Sequence, residues 1–318
     1  MKLFYPSITL LILALSSIAN AQTSPVITTN FADTLSVRKD TTYWQKSFAG
    51  GLNLNQASFS NWTGGGINSI ALSTVVNARA LYEKGLTSWD NTADLQLGYV
   101  TQRGDTRKAA DQIFINSVVG HKLTKKMELF GSGTFNTFFA PGYRYDKLAT
   151  DQKRLLVSNF LAPAQITLAW GAAFRPNDWF SLRLSPFSPR LTIVNDADVR
   201  VKQVNGIYVK DPNVAAFGVD PGKTTRMEWL ALQLQVALNK KLGENVSLNA
   251  RYQLYANYKN LNAIDHRLDA VLTAKVSKYL STTLGLILLY DKDFADKLQI
   301  QQTLAIGLSY NISTFRKK

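Results

Sequence analysis

Apolar and polar residues alternate with a period of two along most of the chain after Tyr43, in segments of about ten to sixteen residues. Near the C-terminus, Leu284, Leu286 and Leu288 share one parity, whereas Thr283 and Gly285 share the other. A period of two places these sets on opposite faces of a β-strand. Strands of soluble sandwiches usually have about five or six residues, whereas a tilted strand needs about nine to eleven to cross the hydrocarbon layer. The pattern therefore predicts an all-β fold, a transmembrane β-barrel whose strands have a lipid face and a lumen face.

The pattern predicts about twelve antiparallel up-and-down strands, whose connections alternate between short and long. The predicted strands span residues 46–57, 67–82, 86–101, 112–123, 127–140, 159–174, 179–194, 225–239, 246–258, 265–276, 279–291 and 298–312. The short connections span 83–85, 124–126, 175–178, 240–245 and 277–278, and the longest span 102–111, 141–158 and 195–224. Outer-membrane barrels have short periplasmic turns, longer outer loops and an even number of strands. An even number returns the chain to its starting side, so both termini are predicted to be periplasmic.

The N-terminus has the features of a cleaved secretory signal. Lys2 precedes an apolar stretch, and Ala19 and Ala21 place small residues before a predicted cleavage after Ala21. The chain contains no cysteine, which excludes disulfides, thiolate metal sites and a cysteine nucleophile. The predicted segments are a signal peptide (1–21), a flexible periplasmic extension (22–42) and an outer-membrane barrel (43–318).

Positive charge is concentrated at the short connections of a chain whose formal net charge is +14. The lysines of this predicted periplasmic basic rim are Lys122, Lys125, Lys126, Lys240, Lys241, Lys275 and Lys278. One interpretation is that they contact the anionic headgroups of outer-membrane lipids. The alternatives are a docking surface for an acidic periplasmic protein and a funnel for anions that leave the lumen. Nucleic acid is not an expected partner, because an exported membrane barrel does not encounter it.

The parity of the strands also predicts which charged residues face the lumen. The lumen-lining candidates are Arg79, Asp90, Asp94, Arg251, Arg267 and Asp269. If opposite charges pair across the barrel, the interior is plugged by its own side chains. If they leave an opening, the lumen is a narrow polar pore whose selectivity these charges set. The sequence leaves both alternatives open.

Two strands have irregular patterns. In the fifth predicted strand, Phe130 and Phe138 compete with Leu129 and its parity for the lipid face. The seventh predicted strand contains Pro186 and Pro189, each of which lacks a backbone donor. A bulge, a bend or a strand end is expected there.

Residues that could support catalysis or metal binding are few. His121 falls at the predicted periplasmic end, and His266 shares the parity of Leu268 on the lipid face, where no serine is near in the pattern. Asp291, Asp293 and Asp296 form an acidic run without the glycine-centred spacing of a calcium loop. We expect no catalytic residue, cofactor or metal, and a packing role for His266.

Three short motifs occur in a defined order along the chain. They are Asn61-Trp62-x-x-Gly65-Gly66-x-Asn68-Ser69, Ser88-Trp89-Asp90-Asn91, and Leu184-Ser185-Pro186-Phe187 followed by Leu191-Thr192-Ile193-Val194. In these motifs the chain resembles an uncharacterised Bacteroidota outer-membrane family, domain of unknown function 3078. The resemblance implies an outer-membrane β-barrel, and it implies no activity, substrate or site residues.

Three functions are compatible with these features. The first is a non-enzymatic outer-membrane barrel that organises the envelope or forms a complex with a periplasmic partner through the basic rim. The second is a narrow channel for small polar or anionic solutes. The third is a lipid hydrolase, which would depend on His266 and the outer acidic residues.

Overall fold

The computed structural model describes residues 43–57, 68–277, 279–292 and 295–314. Outside the described residues lie the predicted signal peptide with its cleavage after Ala21, the extension 22–42, the glycine-rich segment 61–66, Lys278 and Asp293. Within the described residues, no helix is long and apolar enough to cross a membrane.

The described part of the chain consists mainly of β-strands, with one short 3₁₀ helix, Ala197–Val199. The first nine strands are β1 (Trp44–Ala57), β2 (Ser69–Lys84), β3 (Thr87–Gln102), β4 (Asp105–Lys122), β5 (Met127–Thr137), β6 (Gly142–Arg144), β7 (Leu155–Ser158), β8 (Ala164–Asn177) and β9 (Phe180–Phe187). The other nine are β10 (Arg190–Ile193), β11 (Val201–Val204), β12 (Ile207–Lys210), β13 (Thr225–Glu228), β14 (Ala231–Lys241), β15 (Val246–Asn257), β16 (Ile264–Lys275), β17 (Leu280–Asp291) and β18 (Ala295–Ser313).

The strands form a closed antiparallel barrel in which each member pairs with its neighbours along the chain. β9 and β10 are two halves of one barrel strand, and β13 and β14 are two halves of the next, since β10 pairs with β13 and β9 pairs with β14. Pairing of β1 with β18, in which Ser47 lies opposite Ser313, closes the sheet. The predicted barrel of twelve strands is therefore confirmed.

The two ends of the barrel differ in the length of their connections. The end that contains Trp44 and Ser313, here called the turn mouth, has short connections such as residues 85–86, 123–126 and 242–245. The opposite end, here called the loop mouth, has the long connections 138–163 and 194–224, which contain the β6–β7 and β11–β12 hairpins.

One predicted outer loop is wrong. Residues 102–111 were expected to form a loop, but β3 continues to Gln102 and β4 starts at Asp105. Arg103 and Gly104 form a two-residue turn with φ angles of 50° and 81°, the conformation that tight hairpins favour. The ends of β3 and β4 beside this turn consist mainly of polar residues and lack the apolar alternation that predicted the strands. The predicted strands were therefore too short at this end.

A bulge in the seventh barrel strand accommodates its proline-rich segment. Opposite β8, the register shifts between Trp170, which faces Phe187, and Ala172, which faces Leu184. The ladder then breaks before Arg190, where β10 begins. The bulge or strand end expected from the two prolines is therefore present, and it lies on the loop-mouth side of the strand.

Apolar side chains cover the outside of the barrel. Leu304 in the middle of β18 is 68% exposed, and Leu284, its cross-strand neighbour on β17, is also exposed. In the ambiguous fifth strand, Leu129 points outward and is 49% exposed, whereas Phe130 is 6% exposed and packs inside against Val118. Apolar side chains exposed on this scale are matched to lipid rather than to water.

Aromatic side chains flank this apolar surface. At the turn mouth, the ring centroids of Trp44 lie 5.3 Å from those of Tyr82 and 5.8 Å from those of Trp89. On the outside of β15 to β17, His266 lies between Tyr252 and Tyr290. Rings with one polar group favour the headgroup level of a bilayer.

The connection 194–224 at the loop mouth has its own small core. Val199 and Val219 are buried there together with Ala162 and Val194. Arg200 is only 2% exposed, and its guanidinium donates hydrogen bonds of 2.7–2.9 Å to four backbone carbonyls. Because one cation satisfies several carbonyls that no strand pairs, this long connection is a folded unit.

Candidate functional site

Charged side chains line the inward face of the barrel, opposite the exposed leucines. Arg79 on β2 donates two hydrogen bonds of 2.8 Å to the carboxylate of Asp90 on β3. Arg267 binds Asp269 on its own strand, β16, in the same bidentate manner. Four of the six predicted lumen-lining residues therefore form two ion pairs.

The other two predicted residues approach each other across the barrel. Asp94 on β3 accepts a hydrogen bond of 2.7 Å from Asn77 and lies opposite Phe114 of β4 in the strand ladder. The guanidinium carbon of Arg251 lies 5.7 Å from the ring centroid of Phe114 on β4. Along the closed sheet β4 and β15 are five strands apart out of twelve, so these two strands are on nearly opposite walls. The side chains of Arg251 and Phe114 thus narrow the lumen between them.

Arg183 on β9 belongs to this site, although the sequence patterns did not identify it. It lies opposite Gln235 of β14, on the inward face, and its guanidinium carbon is 5.4 Å from the ring of Phe130. Its Nε is buried without a hydrogen-bond partner. Because Leu182 and Leu184 alternate with Arg183, their parity could have predicted that Arg183 faces inward. The prolines that follow suggested a strand end instead.

Two further ion pairs line the same interior. Arg175 binds the buried carboxylate of Glu128 at 3.1 Å, and Arg190 binds Asp265 at 2.8 Å. Asp265 shares the parity of Arg267 and Asp269, but the sequence patterns did not place the other three residues in the lumen. Arg175 and Glu128 stand at strand ends, where the predicted parity stops.

The interior is only partly filled by these side chains. The side chain of Arg79 is 38% exposed although it faces inward, so water reaches this level of the lumen. Near the loop mouth, a cavity of about 200 Å³ is lined by residues of β1 to β4 and β18 that include Asn53, Ser73 and Thr303. The lumen therefore combines paired charges, a narrow section and open space.

The lysines of the predicted basic rim lie at the turn mouth, as far as the structure describes them. Lys122 pairs with Glu83 at 3.0 Å, and the ammonium of Lys240 lies 5.0 Å from the ring of Trp179. Lys125, Lys126 and Lys241 are exposed in or beside the turns. Lys275 is half-buried at the end of β16, and Lys278 lies outside the described residues.

The two histidines have no serine or metal-ligand cluster around them in the contacts that the structure describes. His121 is exposed near the turn mouth. The Nδ1 atom of His266 is 2.8 Å from the hydroxyl of Tyr252 on the outer surface. Among the described residues, there is no group of three or more acidic or histidine side chains that could hold a metal ion.

A closed antiparallel barrel of twelve strands with an apolar outer surface defines the class of this protein, which is that of outer-membrane β-barrels. Within that class, the model of the family described as Protein of unknown function (DUF3078) matches residues 54–143. The predicted resemblance to this family is confirmed over that segment, and the motif at 184–194 lies outside it.

Several solved outer-membrane barrels are similar to the chain at low sequence identity. The translocator domain of the autotransporter NalP from Neisseria meningitidis is 12% identical, with a TM-score of 0.38 over 86% of this chain and 89% of that one. The COG4313 outer membrane channel from Pseudomonas putida F1 is 8% identical, with a TM-score of 0.39 over 89% of this chain and 100% of that one. No curated protein is significantly similar to this sequence.

Proposed function

We propose that this protein is a non-enzymatic outer-membrane barrel whose lumen is a narrow passage for small anionic solutes. The observation that supports this function best is the narrow section where Arg251 reaches from β15 towards Phe114 on the opposite wall. A charged side chain at the narrowest point of a pore sets both the size and the sign of the solutes that pass.

The balance of charge at this level favours anions. The four ion pairs of the lumen neutralise four arginines with four carboxylates. Two arginines outside these pairs, Arg183 and Arg251, then face one carboxylate, that of Asp94. The described rim lysines add positive charge at the turn mouth. With the turn mouth in the periplasm, an anion would meet positive potential in the lumen and again at its exit.

Planar-bilayer recordings test the proposed passage. We expect the purified barrel to give small, anion-selective conductance steps. Arg251→Ala should raise the single-channel conductance by about twofold or more and lower the anion preference, because it removes both bulk and charge from the constriction. Lys210→Ala, in the β11–β12 hairpin, serves as the control and should leave both quantities unchanged. A barrel that is silent as wild type and as Arg251→Ala would contradict this function.

A second function is complex formation with an acidic periplasmic protein, with the envelope organised through that contact. It is favoured by the exposure of Lys125, Lys126 and Lys241 around one mouth. Outer-membrane lipid headgroups compete for the same lysines.

Charge reversal of the basic rim distinguishes binding of an acidic protein from binding of lipid headgroups. Cross-linking from the 123–126 turn in intact cells should capture an acidic protein, and the combined change Lys125→Glu, Lys126→Glu and Lys241→Glu should abolish that cross-link, because like charges repel. Lys210→Glu at the loop mouth is the matched control and should retain it. Cross-links to lipid alone would show that the rim only anchors the barrel.

A further inference from the structure

We infer that Arg183 and Arg251 together form a binding site for a phosphate-type oxyanion in the lumen, an inference that rests on the proposed function and names its solute class. The two arginines face inward on β9 and β15, the strands that flank β14. Arg183 lies opposite Gln235 and Arg251 opposite Ala237, two residues apart on the same face of β14. Two strand spacings and an offset of two residues put their backbones about 12 Å apart, a distance that two long side chains can bridge with an anion between them.

Neither guanidinium has a protein acceptor among the described residues. The Nε of Arg183 is buried without a partner, and the guanidinium carbons of Arg183 and Arg251 lie 5.4 Å and 5.7 Å from the rings of Phe130 and Phe114. The neighbouring carboxylates are engaged elsewhere, since Asp90 binds Arg79, Glu128 binds Arg175 and Asp269 binds Arg267. Asp94, the carboxylate that faces Arg251 across the lumen, accepts a hydrogen bond from Asn77. Donors in a lumen where the nearby acceptors are used are available to a ligand.

The two charges also act on each other. Arg175, and to a smaller extent Arg251, repel the positive charge of Arg183, whereas Asp90 and Glu128 attract it. A bound anion removes this repulsion and supplies acceptors to both guanidinium groups. Phosphate suits the site better than chloride or a carboxylate, because its several oxygens can accept paired hydrogen bonds from two planar donors at once.

Binding of inorganic phosphate to the intact barrel in detergent tests the site without any flow of ions. Isothermal titration at constant ionic strength should detect phosphate binding, and Arg183→Gln and Arg251→Gln should each weaken it on the order of tenfold, through loss of charge-assisted hydrogen bonds. Arg183→Lys retains the charge but not the planar pair of donors, and it should weaken binding by a similar factor. Heat-modifiable mobility on gels verifies that each variant is folded.

Arg107→Gln is the charge-matched control, because Arg107 donates to Asp105 at the loop-mouth tip of the β3–β4 hairpin, away from both arginines. It should change phosphate affinity less than about threefold, through the lost long-range charge alone. Wild-type protein that binds phosphate no better than chloride would overturn the inference, as would equal losses in Arg183→Gln and Arg107→Gln. Phosphate binding by a barrel that does not conduct would retain the site and refute the passage, whereas conduction without phosphate binding would retain the passage and refute the site.

Discussion

Replacing Leu304 with arginine is expected to destabilise the folded barrel by about 2–4 kcal/mol, the cost of a lipid-facing arginine near the bilayer midplane. Leu304 lies in the middle of β18 and is 68% exposed on the outside of the barrel. Its neighbour across the ladder on β17 is Leu284, which offers the guanidinium no hydrogen-bond acceptor. Equilibrium unfolding by denaturant in phospholipid vesicles measures the loss.

The same substitution on the other face of β18 is the control. Thr303, the residue before Leu304, faces inward opposite Gly285 and lines the cavity of about 200 Å³. Thr303→Arg places the charge in the interior at nearly the same depth, and we expect a much smaller loss of stability. Equal losses in the two variants would show that the inside and outside of this strand are wrongly assigned.

Gly171→Ala is the second substitution with a large expected effect. A Cβ built on Gly171 overlaps the carbonyl oxygen of Leu184 and lies 2.8 Å from Cα of Ser185. These are backbone atoms of the bulged strand β9, which cannot rotate away as a side chain could. We expect a loss of about 1–3 kcal/mol or more from overpacking and a disturbed bulge. The temperature at which the folded band disappears in heat-modifiability gels measures the effect.

Gly133→Ala provides a matched comparison on the adjacent strand. A Cβ there would make only an ordinary contact of 3.4 Å with the end of the Leu168 side chain. The variant should be neutral or slightly more stable, because alanine loses less conformational freedom than glycine when a strand forms. If both variants unfold at the wild-type temperature, the close approach of β8 and β9 at the bulge is not present.

The sequence contains most of the architecture because one physical rule governs every strand of a membrane barrel. Lipid on one side and the lumen on the other force a period of two, so Leu284 and Leu304 reveal their outward faces and Arg79 and Asp94 their inward ones. The rule fails where a strand extends beyond the hydrocarbon layer, because no lipid then requires an apolar face. The polar hairpin around Arg103 extends beyond the apolar alternation, and only its turn geometry identifies it.

The arrangement of the lumen charges could not be obtained from parity alone. Alternation places Arg251 inside, but it does not state that its side chain reaches the opposite wall at Phe114. That approach depends on the number of strands and on their stagger, which set the width of the barrel. Arg183 was missed for a local reason, since the two prolines after Leu184 obscured the parity that the strand keeps up to its bulge.

The pairing of β1 with β18 makes barrel closure depend on both ends of the described chain. The backbone N–H of Lys46 donates to the Thr314 hydroxyl, a partner 268 residues later, so the wall closes only after the last strand has been synthesised. A chain truncated before β18 would expose the unpaired edges of β1 and β17 to hydrocarbon, where each unsatisfied backbone group costs several kcal/mol. Loss of β18 is therefore expected to abolish membrane insertion of the entire protein, and not merely to shorten it.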